Sequence, residues 1–205
     1  SGYGKQDLTT QTDLSWKVMG ISEEGKIEII SDKPTTQTQK LYLKGALGYN
    51  NGVNLLNDAC KAMYSKEGVG TARSINIEDI EKHFTDAGKN ARDTYSGYNT
   101  QKTYTSNTYY PAIYEEEISG NLGGSENIES LTKEDKKQNG DLTVNKTYYY
   151  MDTNGQDYID NEKFEEMIFG TGTYYWLASR FVSGSGDYAD FGLRDVSNTV
   201  LYGSD

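Results

Sequence analysis

The closing segment of the chain, residues 173–205, alternates apolar and polar positions with a period of two. Three such runs, at 174–182, 188–196 and 199–202, are separated by small polar residues. A period of two is typical of strands, because successive side chains point to opposite faces of a sheet. The pattern predicts three paired strands with exposed turns at 183–187 and 197–198.

The N-terminal part of the chain shows the same alternation. Between residues 14 and 30, Leu14, Trp16 and Val18 alternate with polar neighbours, and isoleucines return after a polar turn at 22–25. This pattern predicts a hairpin, and we expect Trp16 to lie in its core. Residues 41–43 predict a further short strand.

Apolar residues at helical spacing predict three helices elsewhere in the chain. The first covers residues 53–63, with Val53, Leu56, Cys60 and Met63 on one face. The second begins after Asn76, a typical N-cap residue, and the third covers residues 161–169 with Asp160 as its cap.

Residues 94–147 are polar, with few apolar anchors, and predict a long, partly mobile insertion. Strands that are segregated from helices indicate an α+β fold with a mainly antiparallel sheet. The length of 205 residues fits a single domain over 1–205 that carries this insertion.

Composition limits the classes of ligand. The net charge is −11, which disfavours nucleic acid, and no apolar run approaches the ~20 residues needed to span a membrane. The chain has 18 tyrosines and 5 phenylalanines. Tyrosine serves binding surfaces because its ring is apolar and its hydroxyl stays wet, but it is also an ordinary strand former. Both interpretations stay open.

An acidic stretch at 152–162 raises the question of calcium. Measured from Asp152 as the first ligand of an EF-hand loop, the sixth position is Asp157 instead of glycine, and the twelfth is Lys163 instead of glutamate. We interpret the stretch as a polar loop leading into a helix and expect no cofactor, with calcium in another geometry left open.

Groups that would perform catalysis are scattered in the sequence. The carboxylates at 115–117 and 165–166 are not tied to an apolar pocket by anything in the sequence. Ser179 lacks the Gly-x-Ser-x-Gly elbow, and the single histidine leaves one possible base for a Ser–His arrangement. Cys60 is the only cysteine and lies at an apolar position of a helix, which favours a buried, inert thiol. The glycines at 68–70 fit a turn better than a nucleotide loop. We therefore expect no enzyme, and an acidic-site hydrolase is the least favoured alternative.

Several strings resemble a family of bacterial and phage surface domains of unassigned function, found mostly in gut Firmicutes and their prophages. They are YWLASR at 175–180, ADFGLRDV at 189–196, WKVMG at 16–20, GYNNGVN at 48–54 and TARSINIEDIE at 71–81. The closing strands are more distantly similar to the C-type-lectin-like variable proteins of diversity-generating retroelements.

The resemblance implies a C-type-lectin-like α+β domain, with two helices beside a twisted, mainly antiparallel sheet with long loops. It implies a framework of Trp176, Ala178, Ser179, Phe191, Leu193 and Arg194. It also implies a ligand-binding set in the strands and turns between them: Phe181, Ser183, Ser185, Asp187, Tyr188, Asp190, Ser197, Asn198 and Tyr202.

These expectations describe a non-enzymatic ligand-recognition domain at a bacterial cell surface or virion surface, acting outside the cell on a protein or a glycan. The chain begins at Ser1 without methionine, which fits an exported or virion protein from which a leading segment was removed. Such domains commonly continue into a last strand that is not found before Asp205, so we expect either that this segment lacks the strand or that another element or chain supplies it. An open C-terminal edge could then accept a neighbouring strand. The alternative is a structural subunit of a filament (pilin-like) or of a virion.

Overall fold

The structure is a computed structural model that describes residues 8–33, 35, 37, 41, 43, 45–94, 151–152, 158–169, 174–185, 188–198 and 200–204. The predicted insertion at 94–147 lies outside this part of the chain, apart from Thr94. The side chains of residues 182–189 also lie outside it.

The N-terminal hairpin is present. Strand β1 (Trp16–Ile21) pairs antiparallel with β2 (Ile27–Ser31). In the turn between them, Gly25 has φ 77° and its N–H donates to the Ser22 carbonyl over 2.9 Å. The prediction that Trp16 is a core residue is wrong, because its side chain is 42% exposed. Alternation shows which residues share a face, but it does not show which face meets the core.

A continuous helical segment follows. It consists of α1 (Gly45–Leu47), a π-helical turn at Gly48–Gly52, and α2 (Val53–Tyr64), which confirms the first predicted helix. The buried face of α2 is Leu55, Ala59 and Met63, so the helix is rotated from the predicted face. The short strand predicted at 41–43 is absent at its described residues, although Leu43 is buried; Tyr42 lies outside the described residues.

Helix α3 (Ile77–Glu81) begins where the sequence predicts. The Asp79 N–H donates to the Asn76 side chain over 2.9 Å, and the Asn76 N–H donates back to the Asp79 carboxylate over 3.0 Å. This reciprocal pair is a capping box, which satisfies two backbone donors that a helix start leaves unpaired. Helix α4 (Asp86–Thr94) follows and was not predicted, although it begins after Thr85, whose hydroxyl accepts from the Gly88 N–H over 3.1 Å as a helix cap.

Helix α5 (Glu162–Ile168) confirms the third predicted helix and buries Phe164 and Ile168. Its cap is Asn161, whose side chain accepts from the Phe164 N–H over 3.1 Å. The expectation that Asp160 caps this helix is therefore wrong.

The C-terminal sheet contains β3 (Met151–Asp152), β4 (Tyr174–Ser185), β5 (Tyr188–Ser197) and β6 (Val200–Ser204), in the order β3-β6-β5-β4 with antiparallel pairing throughout. The three predicted strands are confirmed. The predicted turn at 183–187 is too long, because β4 continues to Ser185, which pairs with Tyr188. The edge of β6 is not open at Val200 and Leu201, since β3 pairs with both.

One face of this sheet forms the main core with α3 and α5. Val196, Leu177 and Leu201 pack there with residues such as Ile80 and Phe164. Met19 and Ile30 of the hairpin reach the same cluster from its edge. The opposite face of the sheet meets the π-helical turn, where Gly52 lies against Leu193. The chain is therefore an α+β domain with an antiparallel sheet covered on both faces near its centre.

Candidate functional site

Strand β4 contains an irregularity at the centre of the YWLASR string. Trp176 pairs with Asp195 and Arg180 pairs with Leu193, so three residues of β4 lie opposite Arg194 alone. The extra residues turn away from the ladder. The Ala178 N–H donates to the Ile75 carbonyl over 2.9 Å, and the Ser179 hydroxyl accepts from the Ile77 N–H over 2.8 Å. The bulge thus fixes the sheet to the start of α3, and buried Ser179 holds it there.

Arg180 joins the same strand to the π-helical turn. Its Nε donates to the Tyr49 carbonyl over 2.6 Å, and its guanidinium carbon lies 5.5 Å from the centroid of the Tyr49 ring. The Tyr49 ring in turn packs edge-to-face on Phe191, with centroids 5.1 Å apart. The strings at 48–54, 71–81 and 175–180 therefore meet in space as one framework. Sequence reasoning missed Arg180, for which the only signal was a charged residue within an apolar strand.

Burial shifts the pKa of two other side chains, Cys60 of α2 and Tyr175 of β4, further above neutral pH. Burial raises the pKa of the Cys60 thiol to about 11, so the thiol stays protonated at neutral pH. Burial also raises the pKa of Tyr175, whose hydroxyl donates to the Ile168 carbonyl over 2.8 Å. Both side chains are suited to packing, and neither is prepared to act as a nucleophile.

The far end of the sheet is open on the face that meets the π-helical turn. Trp176, Asp195 and Tyr202 lie directly opposite one another on three neighbouring strands, and all three are half-buried. Paired residues share a face of a sheet. The next row outward is Tyr174, Ser197 and Val200, in which Tyr174 is 68% exposed. We call these six residues, with Asn198 at their edge, the open sheet patch.

Asn198 shapes the end of this patch. It has φ 55°, a left-handed conformation that asparagine tolerates better than most residues, in the two-residue connection between Ser197 and Val200. Its Nδ2 donates to the Tyr174 hydroxyl over 2.9 Å. This bond holds an exposed ring in place at the rim of the patch.

The predicted ligand-binding residues fall into separate places. Ser197, Asn198 and Tyr202 lie in the open sheet patch. Phe181 is 2% exposed with its ring over Gly203, so it packs in the sheet. Asp190 is half-buried, and its register places it on the face opposite Tyr202.

The remaining members cannot be placed in a site. Ser183, Ser185 and Tyr188 lie in the strands, but their side chains are outside the described part of the chain, as is all of Asp187. The structure therefore brings together three of the nine predicted residues, and it adds Tyr174, Trp176 and Asp195. Register is the signal that would have found Asp195, because a two-residue turn at 198–199 sets it opposite Tyr202.

The other candidate groups do not converge. Gly70 and Lys66 bond to each other through their backbones, which confirms a turn at 65–71. Glu166 is exposed on α5 and Asp160 lies 3.2 Å from His83 Nδ1, whereas residues 115–117 lie outside the described residues. Among the residues that the structure describes, no cluster of three or more histidine, cysteine or acidic side chains is placed to hold a metal ion.

The described residues form an α+β fold, and one face of its antiparallel sheet carries the partly exposed open sheet patch. Compared with protein-family models, with curated proteins and with solved structures, the chain matches none of them. Within the described ranges, the helices are too short and too polar to cross a membrane.

Proposed function

We propose that this chain is a non-enzymatic ligand-recognition domain, displayed on a bacterial or phage surface, that binds a protein or a glycan through the open sheet patch. The observation that carries the proposal is the row Trp176–Asp195–Tyr202, in which two aromatic side chains flank a carboxylate on adjacent strands. A C-type-lectin-like arrangement of helices and sheet is part of the same proposal.

The patch has the physical properties of a binding surface. Strand backbones hold the aromatic side chains, so little conformational entropy is lost when a ligand contacts them. Tyrosine and tryptophan combine a large apolar area with a polar group at the edge. The Asp195 carboxylate adds hydrogen-bond acceptors between the two rings. The net charge of −11 disfavours anionic ligands.

The contacts of the reactive side chains support a role without catalysis. The Ser179 hydroxyl accepts from the Ile77 N–H, and burial keeps the Cys60 thiol protonated. Each of these groups has a structural explanation. Because the patch contains one carboxylate between aromatic rings, its chemistry favours holding a ligand over transforming it.

The experiment measures binding of the chain to an array of defined glycans and to intact bacterial cells. We expect Tyr202→Ala and Tyr174→Ala each to weaken binding at least about tenfold, as loss of an aromatic anchor does. Chelation of calcium is expected to leave binding unchanged.

The matched control is Val69→Ala, which removes an apolar side chain that is 76% exposed on the distant turn at 65–71. This variant should bind like the wild type. The proposal is contradicted if the wild type binds neither probe, or if the Tyr174→Ala and Tyr202→Ala variants both bind as tightly as the wild type.

A further inference from the structure

The outer face of the N-terminal hairpin is apolar and exposed. Its large side chains are between 42% and 72% exposed: Trp16, Val18, Ile21, Ile27 and Ile29. We call these five residues the hairpin patch. An antiparallel sheet with one face on the core normally turns polar residues to solvent on the other face. In this hairpin, apolar side chains point to solvent instead.

The register of the hairpin brings the five side chains together. Val18 lies opposite Ile29, and Ile21 lies opposite Ile27. A β-bulge between Val18 and Gly20 adds one residue to β1, and this addition returns Ile21 to the face that holds Val18. Without the bulge, Ile21 would point toward the opposite face. The local irregularity therefore extends the apolar surface.

The inner face of the hairpin already accounts for its attachment to the domain. Met19 and Ile30 pack against the main core. The Glu28 carboxylate lies 3.8 Å from Arg73 and 3.7 Å from Lys82. Of the patch residues, Trp16 also contacts the domain, because its ring packs edge-to-face on Tyr64 of α2 with centroids 5.8 Å apart. The other four side chains of the patch stay more than half exposed, so their exposure is not explained by attachment of the hairpin.

The size of the patch suits a second copy of the same chain. Its exposed apolar area is of the order of 500 Å², near the upper end of what monomers expose. Two copies packed face to face would bury about 1,000 Å², which is the lower limit for a specific interface. A self-complementary surface of this kind forms a closed, two-fold interface.

The local charge also permits contact between two copies. The whole chain carries a net charge of −11, which repels a second copy over most of the surface. The hairpin region at 14–33, with three lysines against four acidic residues, has the same average charge per residue as the whole chain, but the hairpin patch itself contains no charged side chain. Face-to-face contact of two hairpin patches would therefore bury no charged side chain at these five positions.

We propose that the hairpin patch is a self-association surface, at which two copies of this chain pack their β1–β2 sheets face to face around a two-fold axis. The hairpin patch shares no residue with the open sheet patch, which is built from β4, β5 and β6. The inference is independent of the proposed ligand-binding role.

The test is sedimentation equilibrium of the full chain over concentrations from micromolar to submillimolar. The wild type should form dimers, and Val18→Lys should raise the dimer dissociation constant at least about tenfold, because it places a charge in the centre of the apolar contact. Ile29→Lys, on the opposite strand, should do the same. Circular dichroism checks that each variant is folded.

The control is Val69→Lys, since Val69 is as exposed as the patch residues but lies on the separate turn at 65–71. This variant and Tyr202→Ala should both remain dimeric. If the lysine variants do not fold, Val18→Ser removes apolar area without adding charge and should weaken the dimer more modestly. A wild type that is monomeric at every concentration, or a dimer that is insensitive to Val18 and Ile29 substitutions, overturns the proposal.

Discussion

At the scale of single residues, the ion pair between Arg73 and Asp79 connects three parts of the chain. The guanidinium contacts the carboxylate at two points, with distances of 2.5 Å and 2.7 Å, and Glu28 of the hairpin lies 3.8 Å away. Burial, the largest effect, raises the pKa of Asp79. Two effects outweigh burial: the carboxylate accepts hydrogen bonds from Arg73 and from the Asn76 N–H, and it lies near the positive charges of Arg73 and Lys82. The pKa of Asp79 therefore lies below its usual value. The carboxylate therefore stays ionised as a helix cap.

Arg73→Ala tests this connection. The Asp79 side chain is 2% exposed, so the substitution leaves a buried charge with weaker compensation. We expect a loss of about 2 kcal/mol in the free energy of unfolding, less than for a fully buried pair because Arg73 is itself 43% exposed. Urea denaturation measures the change.

The comparison variant is Lys26→Ala, which breaks the exposed pair between Lys26 and Glu24 in the hairpin turn. Both partners are more than 70% exposed, so the expected change is within about 0.5 kcal/mol. If both variants lose the same free energy of unfolding, the Arg73–Asp79 ion pair contributes no more to stability than an exposed ion pair does.

At the scale of elements, the π-helical turn at Gly48–Gly52 depends on close backbone approach. A Cβ at position 48 would lie 1.9 Å from the Leu43 carbonyl oxygen, and a Cβ at position 52 would lie 2.2 Å from Leu193 Cδ1. The GYNNGVN string therefore has a packing explanation. Its two glycines let the turn enter between residue 43 and the sheet, where it supports the strand that carries Arg180.

Gly48→Ala should destabilise the protein by about 3 kcal/mol, because the added methyl group meets backbone atoms that cannot rotate away. Thermal unfolding followed by circular dichroism measures the effect. Gly70→Ala is the matched control, since a Cβ there meets nothing within 4 Å, and its melting temperature should stay close to that of the wild type. A stable Gly48→Ala variant would mean that the turn does not need this close approach.

At the scale of the whole molecule, the two sheets differ in how they are supported. Leu193 and Ser197 of β5 pair with strands on both sides, and Leu193 and Val196 are fully buried. The hairpin consists of two strands with one face on the core and the other exposed. Two-stranded sheets are marginal without such packing, so we expect stability to be concentrated in the C-terminal sheet.

Hydrogen–deuterium exchange provides a direct measurement of this difference. Amides near Leu193 and Val196 should exchange slowest, because their exchange requires global unfolding. In dilute protein, amides of β1 and β2 should exchange faster, because the hairpin can open locally. Protection of the hairpin should rise with protein concentration if the hairpin patch is covered by a second copy. Hairpin amides as slow as those of β5 in dilute protein would contradict this division.

Much of the fold was predictable because local patterns specify local structure. The strands at 174–182 and 188–196, the helix after Gly52 and the start of α3 at Asn76 were all correctly placed. Each is marked by a period of two, a period of 3.6 or a capping residue. Helix α4 was missed although it carries such a mark, since the hydroxyl of Thr85 accepts from the Gly88 N–H over 3.1 Å at its start. Its buried position Gly88 does not count as apolar, so the periodic signal was weak.

The candidate site was less predictable. The sequence indicated the C-terminal strands as the binding region, and Ser197, Asn198 and Tyr202 do lie in the open sheet patch. Phe181 was placed in the ligand-binding set but is buried over Gly203, because its register puts it on the core face of the sheet. Trp176 was assigned to the framework, although its ring shares the open face with Tyr202.

The sequence by itself determined the α+β class, the positions of the main strands and the net charge of −11, because periodicity and net charge depend only on the order and kind of residues. The tertiary structure decided which face of each strand meets the core. This is why Trp16 and Val18 are exposed, and why Trp176, Asp195 and Tyr202 form one row. Sidedness depends on register, bulges and the elements packed on each sheet, and these involve residues far apart in the chain.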